Sequence, residues 1–144
     1  MDKRLFGFSA VLLFTIAIST PAYAARYLGR YSSNRYDPNS TGNPYGQYGS
    51  PYSSTSINNP YSQYGSPYTT NAPRLYSSNG QYLGKVSSNQ YDPNSISNPY
   101  GRYGSQYSPQ SVNNPYGQYG SRYSSQGANN PYATNAPIII GDGN

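Results

Sequence analysis

The sequence predicts a mostly irregular or disordered Tyr-Asn-Gly-Ser-Pro repeat with at most a small antiparallel β element, a hairpin over residues 74–86. Three observations predict it. A 16-residue tandem unit crowded with turn formers runs through most of the chain. Beyond an apolar leader only ten large aliphatics remain: Leu28, Ile57, Leu75, Leu83, Val86, Ile96, Val112, Ile138, Ile139 and Ile140. One Asn-Gly pair, Asn79-Gly80, sits between two β-prone arms.

Residues 1–24 read as a signal peptide. Asp2, Lys3 and Arg4 make a short charged start, Leu5 to Ile18 is almost wholly apolar, and Ala22-Tyr23-Ala24 places small residues where a signal peptidase inspects them. The expected cleavage site is Ala22, Ala24 and Ala25, cut after Ala24. An uncleaved anchor is the competing reading, but spanning a bilayer takes about 20 apolar residues and this run is shorter. Cleavage predicts a periplasmic, secreted or cell-surface protein, with no membrane span afterwards.

Asn-Pro-Tyr recurs at 43–45, 59–61, 98–100, 114–116 and 130–132. Around it the units read Tyr-[Asp/Ser]-[Pro/Ser]-x-Ser-x-x-Asn-Pro-Tyr-[Gly/Ser]-x-Tyr-Gly-Ser-x. A larger duplication overlies the units: the segment from Tyr27-Leu28-Gly29 matches that from Tyr82-Leu83-Gly84, and both halves close on Thr-Asn-Ala-Pro (70–73 and 134–137). The chain therefore divides into a first repeat half (25–73), a hairpin plus second repeat half (74–137) and a C-terminal tail (138–144). Proline interrupts any strand ladder about twice per unit and withholds amide donors. Low hydrophobicity leaves ordering poorly compensated. A stacked solenoid needs an apolar strip, and its one aliphatic site (Ile57, Ile96, Val112) is Thr41 or Ala128 in other units, so stacking is not expected.

The hairpin is the exception. A two-residue turn at Asn79-Gly80 would set Tyr76 opposite Leu83, and because a lone hairpin is marginal, 27–31 or 138–140 are expected to add strands.

The chain has no His, Cys, Trp or Glu, which removes the common general bases, metal ligands and nucleophile activators. No enzyme activity, catalytic residue, cofactor or metal site is expected. Asp37 and Asp92 precede proline at equivalent positions and read as turn caps. After the leader, seven Lys and Arg face three Asp, a net charge of +4 that is scattered rather than massed; nucleic acid is not an expected partner. Of 20 tyrosines, 19 follow Ala24. The candidate contact residues are the paired tyrosines of the units: Tyr45, Tyr48, Tyr61, Tyr64, Tyr100, Tyr103, Tyr116 and Tyr119. Their rings suit stacking on sugars, self-packing or oxidative cross-linking.

The run 82–105, YLGKVSSNQYDPNSISNPYGRYGS, resembles the YLGK-SSN-YDPNS-x2-NPYGxYGS motif of an uncharacterised family of small exported proteins of Gram-negative bacteria. The resemblance implies a periplasmic or secreted protein and brings no activity with it. Two readings follow. The first is an exported, non-enzymatic structural or interaction protein of the cell envelope or surface, acting through tyrosine-rich repeats; the alternative is a small β-sheet binding module for envelope polysaccharide or peptidoglycan. The expected partners are accordingly envelope polysaccharide or further copies of the chain.

Overall fold

The backbone hydrogen bonds of the repeats run from one polar residue to another, three positions on. In the computed structural model, which describes residues 24–143, Ser40 N–H donates to Asp37 C=O, Asn43 to Ser40, Gly46 to Asn43, and Ser53, Ser56, Asn59 and Ser62 each to the polar residue three before. The second half repeats the pattern from Asp92 to Ala133. Each anchor is Ser, Asn, Asp or Gly. Where it carries a side-chain oxygen, that oxygen usually accepts the N–H two residues on, as Asp37 does from Asn39, Ser56 from Asn58 and Asn98 from Tyr100. Such local bonds compete with helix and strand. Proline falls at the second position of many turns, where its fixed φ is an asset and its missing N–H costs nothing. Once per unit the step lengthens to four residues: Ser50 N–H reaches back to Gly46, and Ser105 to Gly101. The period of sixteen is thus four steps of three and one of four.

The expected cleavage site lies partly outside the described residues, Ala22 among those that do; Ala24 and Ala25 are exposed, and Ala25 opens the first strand. The described residues contain no helix and four short strands: β1 (Ala25–Arg30), β2 (Arg74–Tyr76), β3 (Tyr82–Lys85) and β4 (Ile138–Asp142). They form one antiparallel sheet in the order β1-β4-β2-β3. This is the small β element the sequence predicts, with both expected additional strands present. The repeats between β1 and β2, and between β3 and β4, are turns.

The hairpin register differs from expectation by one residue. Tyr76 lies opposite Tyr82, not Leu83. Ser77 exchanges bonds with Gln81 and accepts the Gly80 N–H, so the loop is three residues long. Asn79 is not in the left-handed region that a two-residue type I′ turn demands, while Gly80 is, at φ 95°. The slip decides faces. It sets Tyr76 and Tyr82 together on the outer face, rings 5.7 Å apart, and sends Leu75 and Leu83 inward, both fully buried.

Leu28 and Ile139 join them beneath the sheet, against Tyr64, Ile96, Val112, Tyr119 and Ala128 from the repeats. Each fully buried aliphatic contributes about 1.5–3 kcal/mol. Tyr64 and Tyr119 bring their polar ends into partnership, Tyr64 donating to Asp142 C=O and Tyr119 to Gln81 Oε1, each at 3.0 Å.

The units also stack, against expectation. Asn58 Nδ2 donates to Thr41 and Gly49 C=O in the preceding unit, at 2.8 and 3.1 Å. Asn113 does the same to Ile96 and Gly104, and Asn129 to Val112 and Gly120. The apolar strip judged discontinuous is continuous in burial: Thr41, Ile96, Val112 and Ala128 are all at most 8 % exposed and Ile57 is half-buried. A threonine or alanine suffices there because asparagine side chains, not apolar area alone, join the coils. The first coil of each half has no predecessor, and its ladder position is Gly42 or Ser97, not Asn. A side chain at Gly42 would start 2.6 Å from Ser32 C=O.

The outer strands are closed off by these first coils. Arg30 pairs with Ser40 and Lys85 with Ser95 in single parallel bridges, which cover part of each sheet edge. Gly29 and Gly84 make the crossing possible: φ is 97° and 106°, and a Cβ on either would lie within 2.9 Å of a tyrosine side chain and an asparagine carbonyl.

Candidate functional site

Every third-residue step of the form Asn-x-Tyr or Ser-x-Tyr ends with its tyrosine pointing to solvent. Tyr36, Tyr45, Tyr52, Tyr61, Tyr68, Tyr91, Tyr100, Tyr107, Tyr116, Tyr123 and Tyr132 each donate the backbone N–H to the side-chain oxygen two residues before. All eleven are 84–95 % exposed. The local turn fixes the tyrosine backbone at the apex, while its ring makes no close ring contact among the described residues. Within each half these tyrosines alternate at spacings of 9 and 7 residues. Tyrosines sixteen apart come from neighbouring coils, so each stack of coils carries two columns of phenols.

The tyrosine of the four-residue step has another fate. There Gly46, Ser62, Gly101 and Gly117 stand two before Tyr48, Tyr64, Tyr103 and Tyr119, and the tyrosine turns inward. Tyr64 and Tyr119 are buried, at 4 % and 5 % exposure, and Tyr48 and Tyr103 are half-buried. The eight tyrosines named from the sequence therefore divide. Tyr45, Tyr61, Tyr100 and Tyr116 are in the exposed columns, Tyr64 and Tyr119 belong to the core, and Tyr48 and Tyr103 lean on the sheet. The other seven exposed tyrosines were missed. Tyr132 ends an Asn-Pro-Tyr triplet itself, and the other six follow Asn-x or Ser-x. That anchor marks display only outside the four-residue step, since Ser62 also stands two before the buried Tyr64.

Two further aromatic groups lie at opposite edges of the sheet. Tyr27 meets Tyr48 edge-on at 5.5 Å, and Tyr82 meets Tyr76 at 5.7 Å and Tyr103 at 5.2 Å. Burial pushes the Tyr27 and Tyr82 hydroxyls above the usual phenol range, as it does Tyr31. Tyr31 lines a cavity of about 250 Å³ between the two halves, with Ile57, Tyr64, Val86, Ser87 and Ile96.

Charge is spent on structure first. Asp37 pairs with Arg30 at 2.9 Å, Asp92 with Lys85 and Asp142 with Arg74, each at 3.1 Å. Asp37 and Asp92 also accept the N–H of Asn39 and Asn94, the turn-capping role read from the sequence. The Asn94 N–H and then Lys85 hold the Asp92 carboxyl below its usual range, and the Arg74 guanidinium does the same for Asp142. With the three carboxylates paired, Arg26, Arg35, Arg102 and Arg122 supply the residual positive charge among the described residues. No described helix is long and apolar enough to cross a membrane.

Comparisons with protein-family models, with curated proteins and with solved structures find no match to this chain. A regular array of exposed phenols offers stacking faces and hydroxyl donors to a repetitive partner.

Proposed function

We propose that this is an exported, non-enzymatic structural or interaction protein of the cell envelope or surface, acting through its tyrosine-rich repeats. The observation that carries the reading is the set of eleven tyrosines, each fixed by a side-chain bond two residues upstream and each at least 84 % exposed. A ring that buries nothing contributes little to the fold, whereas tyrosine is the residue most suited to contacts that are part apolar and part wet. Presented in columns, many weak contacts add as avidity, and a polymer partner such as envelope polysaccharide, or another copy of the array, meets several at once.

The test is retention of the purified 25–144 chain on insoluble envelope polysaccharide or peptidoglycan, alongside its self-association. Replacing Tyr45, Tyr61, Tyr100, Tyr116 and Tyr132 by Ser should lower retention or self-association at least tenfold, following multivalent arithmetic, with circular dichroism unchanged. A parent chain that neither binds these materials nor associates would refute the proposal.

The group of Tyr76, Tyr82 and Tyr103 at the β3 edge supports the second reading, a β-sheet binding module for polysaccharide or peptidoglycan. Saturable quenching of tyrosine fluorescence by a soluble glycan, abolished by Tyr76→Ala and unaffected by the five column substitutions, would select that site.

A further inference from the structure

The centre of the sheet is built from pairings that obey an internal two-fold relation. Each half has an entry strand (β1 or β3), a coil stack, a Thr-Asn-Ala-Pro exit and an exit strand (β2 or β4). The duplication equates Tyr27 with Tyr82 and Arg30 with Lys85, and the two exits equate Arg74, Leu75 and Tyr76 with Ile138, Ile139 and Ile140. The registers follow this correspondence pair by pair. Tyr27 opposite Ile140 mirrors Tyr82 opposite Tyr76, and Arg30 opposite Ile138 mirrors Lys85 opposite Arg74. The central pair, Leu75 opposite Ile139, maps onto itself. Outside the ladder the relation persists: Tyr31 N–H donates to Pro137 C=O as Val86 N–H donates to Pro73 C=O, at 2.7 and 2.8 Å. Tyr64 and Tyr119, one from each stack, likewise anchor their hydroxyls at opposite ends of the sheet, at Asp142 and Gln81.

All three strand pairings join one half to the other, β1 to β4, β2 to β3 and β2 to β4. Neither half contributes a pair to itself. An isologous interface has this form, one patch meeting its equivalent across a two-fold axis, here between segments linked only by the turn 77–81, which is exposed at 78–81.

We infer that the chain is a fused dimer of two repeat modules, and that the sheet is a module-to-module interface that fits a second copy of this chain as well as the chain's own other half. One departure from symmetry selects the pairing. Arg74 of the first half bonds Asp142 of the second at 3.1 Å, while the residue equivalent to Arg74 is Ile138. Two first halves would set Arg30 opposite Arg74, as the native pairing sets Lys85 opposite Arg74, but without the Asp142 carboxylate that neutralises Arg74 in the native pairing, and like charges left facing across a ladder repel. First halves therefore choose second halves, and exchange between chains yields reciprocal dimers or longer strings of copies, each displaying its coil stacks.

The test uses the 25–144 chain with a protease site inserted between Asn79 and Gly80, where a Cβ on Gly80 would meet nothing within 4 Å. After cleavage, both fragments are expected to co-elute at the volume of the uncut monomer. Cleaved samples, one unlabelled and one nitrogen-15 labelled, are then mixed in urea and refolded; native mass spectrometry should show hybrid and parental pairs near a 1:2:1 ratio, as random re-pairing requires. Fragments that separate, or refold without hybrids, overturn the inference. An uncut chain lacking Asn79 and Gly80 gives an independent reading: with the turn too short to close, a dimer of doubled mass is expected, and a folded monomer overturns it.

Discussion

Replacing Asn113 by Ala tests the stacking of the coils directly. Its Nδ2 donates to Ile96 C=O at 2.7 Å and to Gly104 C=O at 3.0 Å, and both acceptors lie in the preceding coil. A hydrogen bond contributes roughly 0.5–1.5 kcal/mol net. The side chain lies at an exposed position, so water can partly replace it at the two carbonyls and the loss should fall near the lower half of the doubled range, about 1–2 kcal/mol. In a chain of this size that is a drop of roughly 4–8 °C in melting temperature. Asn94, exposed and making no side-chain hydrogen bond to another coil among the described residues, serves as the control; Asn94→Ala should cost under about 0.5 kcal/mol. Urea unfolding followed by far-ultraviolet circular dichroism gives both values. Asn58→Ala acts in the other stack, so combining it with Asn113→Ala should sum to within about 0.5 kcal/mol. If Asn113→Ala and Asn94→Ala are indistinguishable, the asparagine ladder does not join the coils and the stacking argument fails.

Two further predictions concern backbone approach and protonation. A Cβ at Gly104 would sit 2.1 Å from Asn98 C=O, whereas at Gly101 the nearest atom is at 3.1 Å; Gly104→Ala should therefore destabilise by about 1–3 kcal/mol or more in urea titration and Gly101→Ala distinctly less, and equal effects would contradict the four-residue step. The carboxyls of Asp92 and Asp142 are lowered in the fold, by the Asn94 N–H and by Arg74 respectively, so between the folded and unfolded values the unfolded chain binds more protons and stability falls as pH drops below about 4. Tyr27, Tyr31 and Tyr82 are raised by burial, so the fold keeps phenolic protons that the unfolded chain gives up, and stability also falls as pH rises beyond about 10. A urea midpoint flat from pH 7 to 3, or rising from 9 to 11, would contradict these shifts.

Local rules made part of the fold legible. Proline, glycine, serine and asparagine at short spacing exclude helix, and the described repeats are turns. Asp37 and Asp92 before proline read as turn caps and are. The Asn-Gly pair placed the hairpin, and 27–31 and 138–140 were the right companions for it. The register was not legible, because Asn79-Gly80 is compatible with a two-residue and a three-residue loop, and Ser77, by bonding Gln81 and Gly80, selects the longer. The site was half legible. Asn-Pro-Tyr marks one column, but Tyr52, Tyr68, Tyr107 and Tyr123 follow Ser-x, a weaker signal of the same turn.

The sequence by itself determined the steps: a polar anchor every third residue gives the backbone its partners locally, within reach of a short side chain. Only the tertiary structure decided how those steps assemble. Whether Asn58 or Asn113 meets water or a neighbouring coil depends on carbonyls 17 and 9 residues earlier in the chain. Whether a tyrosine is displayed or buried depends on the one four-residue step, which turns Tyr64 and Tyr119 toward Asp142 and Gln81. The exchange of strands between halves follows from a third cause, the burial of Leu28, Leu75, Leu83 and Ile139 under a single sheet. Four separate strands of three to six residues have too little area to bury alone, and a sheet shared between the halves is how they bury it.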